Sequence, residues 1–146
     1  MKMKRCLLII VGCFCVLSMV AQDMKSVFIA MPDSIAPTLS QVNKEDCIDF
    51  LDSNMKAEVT NRFGNPVEMK ALTDDYVQMQ TSSAGIMEMK LLPVNDSVKV
   101  ICMVKTVCAS ACDSEVHFYT SDWSKKLDAK DFLKFPSADA FYLPVD

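Results

Sequence analysis

Apolar positions along this chain change their spacing once. Near the N-terminus they recur at three and four residues, and from Ala57 onward at every second residue. Val27, Phe28 and Met31 predict a short amphipathic helix over Met24 to Met31, stopped by Pro32. Asp33-Ser34 reads as the cap of a further helical turn running through Pro37 to Leu39. The strongest helix is NKEDCIDFLDSNMK, with Asn43 as its cap and Cys47, Ile48, Leu51 and Met55 on one apolar face. Glu45, Asp46, Asp49 and Asp52 then face water.

The alternating region divides at turn signals. Ala57, Val59 and Phe63 alternate with polar residues up to a Gly64-Asn65-Pro66 turn; Val67, Met69 and Ala71 follow, and Asp74-Asp75 makes the next break. Val77 with Met79, and then Met87, Met89 and Leu91, continue the pattern. After Pro93 to Ser97, the residues Val98, Val100, Cys102 and Val104 share one face, and Val116 and Phe118 point the same way in a strand from Ser114 to Ser121. Trp123 to Lys134 has room for a short strand and a helix capped by Asp128. Short connections imply antiparallel neighbours with one wet face. The expected fold is therefore α+β, with N-terminal helices packed on one face of an antiparallel meander of about five strands. Its expected core is Cys47, Ile48, Leu51, Val59, Val67, Met69, Val77, Met79, Met87, Met89, Leu91, Val98, Val100, Val104, Val116 and Phe118.

The first 22 residues do not fit that pattern. Lys2, Lys4 and Arg5 precede a run from Cys6 to Ala21 that falls short of the roughly 20 apolar residues a spanning helix needs. Ala21-Gln22-Asp23 suits signal peptidase, so residues 1–22 read as a cleaved secretory signal and residues 23–146 as a single domain. Ile10-Val11-Gly12-Cys13 offers a rival, a lipoprotein box acylated at Cys13. Either way the chain is expected to cross the inner membrane to the periplasm or cell envelope, touching the membrane only through the signal or that lipid.

Cleavage alters the charge. The full chain has 15 basic and 19 acidic residues; without the three basic residues of the leader the balance is 12 against 19, a net −7. Such a surface disfavours nucleic acid.

The blocks MPDSIAPTLS, DCIDFLDSNMKAEVTNRF, ALTDDY, MEMKLLP, ICMVKTVC and FYTSDW resemble, in the same order, a family of secreted bacterial proteins known as domain of unknown function 3256. The resemblance runs from about Met24 to Trp123 and implies a secreted, envelope-associated protein, with no established activity, cofactor or catalytic residue to carry over. The family's members continue past the position of Asp146, which raises a C-terminally truncated chain as an alternative to a complete one.

Four cysteines survive removal of the leader: Cys47, Cys102, Cys108 and Cys112. If strands end at Cys108 and resume near Cys112, the two oppose each other across a three-residue loop, within disulfide reach. Cys47 and Cys102 lie on apolar faces, as a second pair or as buried thiols. A redox role needs a cationic or helix-terminal neighbour to depress the thiol pKa, and Asp113 and Glu115 act the other way. Zinc held by Cys102, Cys108, Cys112 and His117 meets a parity objection, since His117 points away from Cys102 and Cys108. Met87 and Met89 offer thioethers that suit Cu(I), but they occupy the inward face. Asp46, Asp49, Asp52 and Asp74-Asp75 read as solvated acidic surface, because no calcium-loop spacing is present. The expectation is a non-enzymatic module without cofactor or metal, binding an envelope protein or peptide through its sheet or an exposed edge. A thiol- or metal-dependent site on Cys108, Cys112 and His117 is the alternative.

Overall fold

A computed structural model describes residues 22–134 and 136–142. The leader through Ala21, Cys13 included, and residues 143–146 lie outside the described residues. Two helices, α1 (Met24–Ile29) and α2 (Gln41–Asp52), precede a seven-stranded antiparallel sheet. The strands are β1 (Ala57–Thr60), β2 (Pro66–Leu72), β3 (Tyr76–Gln80), β4 (Gly85–Pro93), β5 (Lys99–Cys108), β6 (Cys112–Thr120) and β7 (Lys126–Leu127). Their spatial order is their chain order. The sheet thus has seven strands where about five were expected, because Ser114 to Ser121 and the short Lys126–Leu127 segment both join it.

Local chemistry sets the helix boundaries. Asp23 accepts from the Ser26 amide and starts α1. In α2 the cap is Ser40 rather than Asn43: the Asn43 amide donates to Ser40 Oγ, and the Asn43 side chain accepts from the Ser40 amide. The helix begins three residues earlier than expected and ends before Met55, which is exposed. Asp33 to Leu39 forms turns and no helix.

One face of the sheet packs on the helices. Phe28, Val27, Leu39 and Ile48 meet Val67, Met69, Val77, Met79, Met87, Met89 and Leu91, all buried, with Cys47 among them and Leu51 half-buried at the margin. In β2 an extra residue between Met69 and Ala71 shifts the pairing, so Leu72, not Ala71, continues the covered face opposite Val77.

The largest departure from expectation is in β5 and β6. Leu91 pairs with Ile101 and Met89 with Met103, so the helix-covered face continues through Ile101, Met103 and Tyr119. Val100, Cys102, Val104, Val116 and Phe118 lie on the other face, and Val98 is exposed before β5 begins. Val100 and Phe118 are nonetheless buried. The chain after β6 folds back under the sheet and stacks Phe132 on Phe118, ring centroids 4.6 Å apart. Val100 to Val104 is an unbroken apolar run because both its faces are wholly or partly covered, and in such a run alternation carries no parity.

Two polar contacts tie the helices down. The buried Lys44 ammonium donates to the carbonyls of Ile29 (3.1 Å) and Met31 (2.7 Å), at and just beyond the C-terminal end of α1. Burial pushes its pKa down. The Trp123 indole N–H donates to Val27 O at 2.9 Å, its ring lies 5.3 Å from Tyr119, and its backbone adopts φ +63°. A left-handed Trp is costly, and the buried indole compensates for that cost. Trp123→Phe keeps the ring but strands the Val27 carbonyl; it is expected to destabilise the protein by about 1–3 kcal/mol, read as a lowered midpoint in urea unfolding.

Candidate functional site

The β5–β6 hairpin gathers most of the residues that carried chemical interest. Its two strands pair without interruption from Val100↔Thr120 to Cys108↔Cys112. Cys108 and Cys112 are disulfide-bonded across the Ala109–Ser110–Ala111 loop, their alpha carbons 3.9 Å apart. The Cys108 amide donates to Ala84 O on the β4 side, which makes Cys108↔Cys112 a pair without backbone bonds between its own members. By alternation, the amides and carbonyls of Cys112, Ser114 and Val116 point away from β5, as that of Thr120 does where its amide donates to Lys125 O at 3.0 Å.

Those outward groups form an edge. Strand β7 pairs only with Phe118 and Tyr119. The Asp128 carboxylate then accepts from the Lys130 amide at 3.0 Å, starting a 3-10 turn (Ala129–Asp131) that carries the chain off the sheet. On its side away from β5, β6 has no neighbouring strand from Cys112 to His117 among the described residues. The Ser114 amide is instead bonded to the carboxylate of Asp113 beside it, at 2.9 Å. Where β7 departs, a shallow cleft of about 490 Å³ opens between Val116, His117, Lys126, Leu127, Asp128 and Ala129.

The other candidates are scattered. His117 pairs with Met103 on the helix-covered side, 3.2 Å from Glu115, whereas Cys102 lies across from Phe118 on the opposite face. Cys47 and Cys102 are both free, Cys47 buried on the inner face of α2 and Cys102 half-buried in β5. Among the described residues no three His, Cys, Asp or Glu side chains gather in metal-binding geometry. Met87, Met89, Met69 and Met79 are buried in the core. Asp52 holds Lys25 at 2.5 Å, and Asp75 holds Lys90 at 2.6 Å.

Two features were not anticipated from the sequence. Lys44 precedes Cys47 and Ile48 by three and four residues and so shares their face of α2, but a charged side chain there gives no signal of burial. The open edge of β6 left a weak trace, since Cys112 to Thr120 contains neither Pro nor Lys, the residues that usually guard an edge.

Comparison with known proteins bears on family and fold. The model of the family described as Protein of unknown function (DUF3256) matches residues 16–146. The chain belongs to this family. A solved structure of a domain of an uncharacterized protein from Porphyromonas gingivalis W83 is similar, with a TM-score of 0.71 and 30% sequence identity over 86% of this chain. The match covers 63% of that solved chain, itself a domain of its protein. No curated protein matches.

Within this DUF3256 chain the thiols differ in burial, and burial governs their reactivity. Desolvation pushes the Cys47 thiol up from 9.0 to about 11, and burial raises Cys102 as well. At pH 8 without reductant, iodoacetamide is expected to spare Cys47 in the native protein and to label Cys102 slowly, while Cys108 and Cys112 stay blocked; peptide mass mapping reads this directly. A raised pKa in the folded state means that Cys47 contributes its full stability below 9.0 and loses it as pH climbs through about 11.

The disulfide closes too short a loop to save much chain entropy. Converting Cys108 and Cys112 to Ser is expected to cost at most about 2 kcal/mol, leaving the far-ultraviolet circular dichroism intact while amide exchange quickens at the hairpin tip.

Proposed function

We propose that this chain is a non-enzymatic interaction module of the cell envelope, which reaches the periplasmic side through its N-terminal signal and binds a protein or peptide through an exposed sheet edge. The observation that carries this reading is the outer edge of β6, unpaired among the described residues from Cys112 to His117 and fixed at its tip by a disulfide. An edge of that kind offers main-chain donors and acceptors at the spacing an added strand requires. The disulfide fits an oxidising compartment, and it lowers the ordering cost of binding by holding the hairpin in one register.

The thiol or metal alternative receives less support. Its two cysteines are joined to each other, and its histidine lies on the opposite face of the sheet from Cys108. No observation favours it over binding.

A photo-crosslinking residue placed in turn at Ser114, Val107 and Thr60 tests the proposal in cells. Protein recovered from the envelope fraction is expected to begin near Gln22 or Asp23, or at an acylated Cys13, and to carry a discrete adduct from Ser114. Recovery of only unmodified protein from all three positions, or of uncleaved protein in the cytoplasm, overturns it.

A further inference from the structure

The two sides of the open edge differ in chemistry. On the helix-covered side, Asp113 and Glu115 stand exposed opposite Val107 and Lys105, with His117 next along the strand. On the other side, the half-buried Val116 leads into the cleft floored by Leu127 and Ala129. A strand added to β6 places its residues alternately beside these two sets, whichever way it runs. We infer that the edge from Cys112 to His117 accepts an extended peptide segment in which Lys or Arg alternates with apolar residues, the basic side chains beside Asp113 and Glu115 and the apolar ones beside Val116 and the Leu127 cleft. This rests on the binding-module reading and specifies its partner.

Three observations select that occupant. The Ser114 amide, aimed outward, already holds a carboxylate, that of Asp113, and releases it to an incoming carbonyl once a partner cation takes the charge. A second copy of the chain is a poor fit. Antiparallel pairing of two β6 edges about Ser114 sets Asp113 against Glu115 twice, pairing about Glu115 sets two like carboxylates face to face, and pairing about Val116, which opposes Glu115 to His117, runs into Phe118 and Tyr119 already paired with β7. The cleft where β7 turns away is lined by the apolar Val116, Leu127 and Ala129 together with His117, Lys126 and Asp128, so it offers a place to an apolar side chain, and the cations belong farther along the edge beside Asp113 and Glu115.

The test uses the folded protein and end-blocked, fluorescein-labelled Lys-Val-Lys-Val-Lys-Val, read by anisotropy, with Glu-Val-Glu-Val-Glu-Val as its counterpart. Saturable binding of the basic peptide is expected, with the acidic one weaker by at least about ten-fold. Ser114→Pro removes an outward donor and leaves the β5 pairing untouched; it is expected to weaken binding by about ten-fold or more. Independently, hydrogen exchange at the Ser114 and Val116 amides is expected to slow when the peptide is added. Binding that survives Ser114→Pro in a folded variant, or that leaves those amides unprotected, overturns strand addition; equal affinity for both peptides overturns the charge assignment. A partner crosslinked in cells from Val116, with Ser114→Pro leaving the adduct undisturbed, defeats this inference while leaving the binding-module reading in place.

Discussion

The structure is governed by a shortage of cover. A seven-stranded sheet presents two faces, and among the described residues one α-helix of six residues and one of twelve shield them. Those helices reach β1 to β4 and, through Trp123 and Tyr119, a margin of β5 and β6. The rest of the apolar surface has to be hidden from below, which is why the chain after β7 turns under the sheet and sets Phe132 on Phe118. Hydrophobic burial at roughly 25 cal/mol per Å² makes either side an acceptable destination, and continuity of strand pairing then decides which residues go where. Lys44 belongs to the same economy of short elements. A six-residue helix cannot satisfy its own last carbonyls, and the ammonium from the neighbouring helix does so.

Where one face was wet, alternation in the sequence identified the buried residues. From Val59 to Leu91 each inward position is flanked by Glu, Lys or Gln, and apart from the shift at Lys70 those residues line the covered face. In β5 the polar partners disappear, so Val100, Cys102 and Val104 looked no different from Ile101 and Met103. Only the pairing Leu91↔Ile101 tells them apart, and pairing is a property of two strands rather than of one. The start of α2 was displaced for a similar reason. Asn43 is a good capping residue and does take part in the capping box, but Ser40 provides the side chain that closes it.

The hairpin cysteines were legible because three intervening residues leave few geometries open. The opposed faces of His117 and Cys102 followed from strand parity alone. The edge beside them was harder to see, because whether a strand has a neighbour depends on where the following chain goes. Here β7 ends after two residues, where the Asp128 carboxylate caps the following turn and Phe132 goes on to stack against Phe118. The course of that segment leaves the outer side of β6 open from Cys112 to His117.

The Trp123 to Val27 hydrogen bond carries a consequence for the order of assembly. Every strand pairs with its neighbour in sequence, so the meander can zip through short loops with little entropy lost at each step. The indole contact joins residues 96 apart. It can form only when both ends of the described chain are in place, and it fixes the first helix against the turn that follows the sixth strand. The fold behaves like a row of local closures fastened by a few distant clasps, of which this one spans the greatest length of chain, beside Lys99 on Gln22 O and Lys105 on Ile35 O.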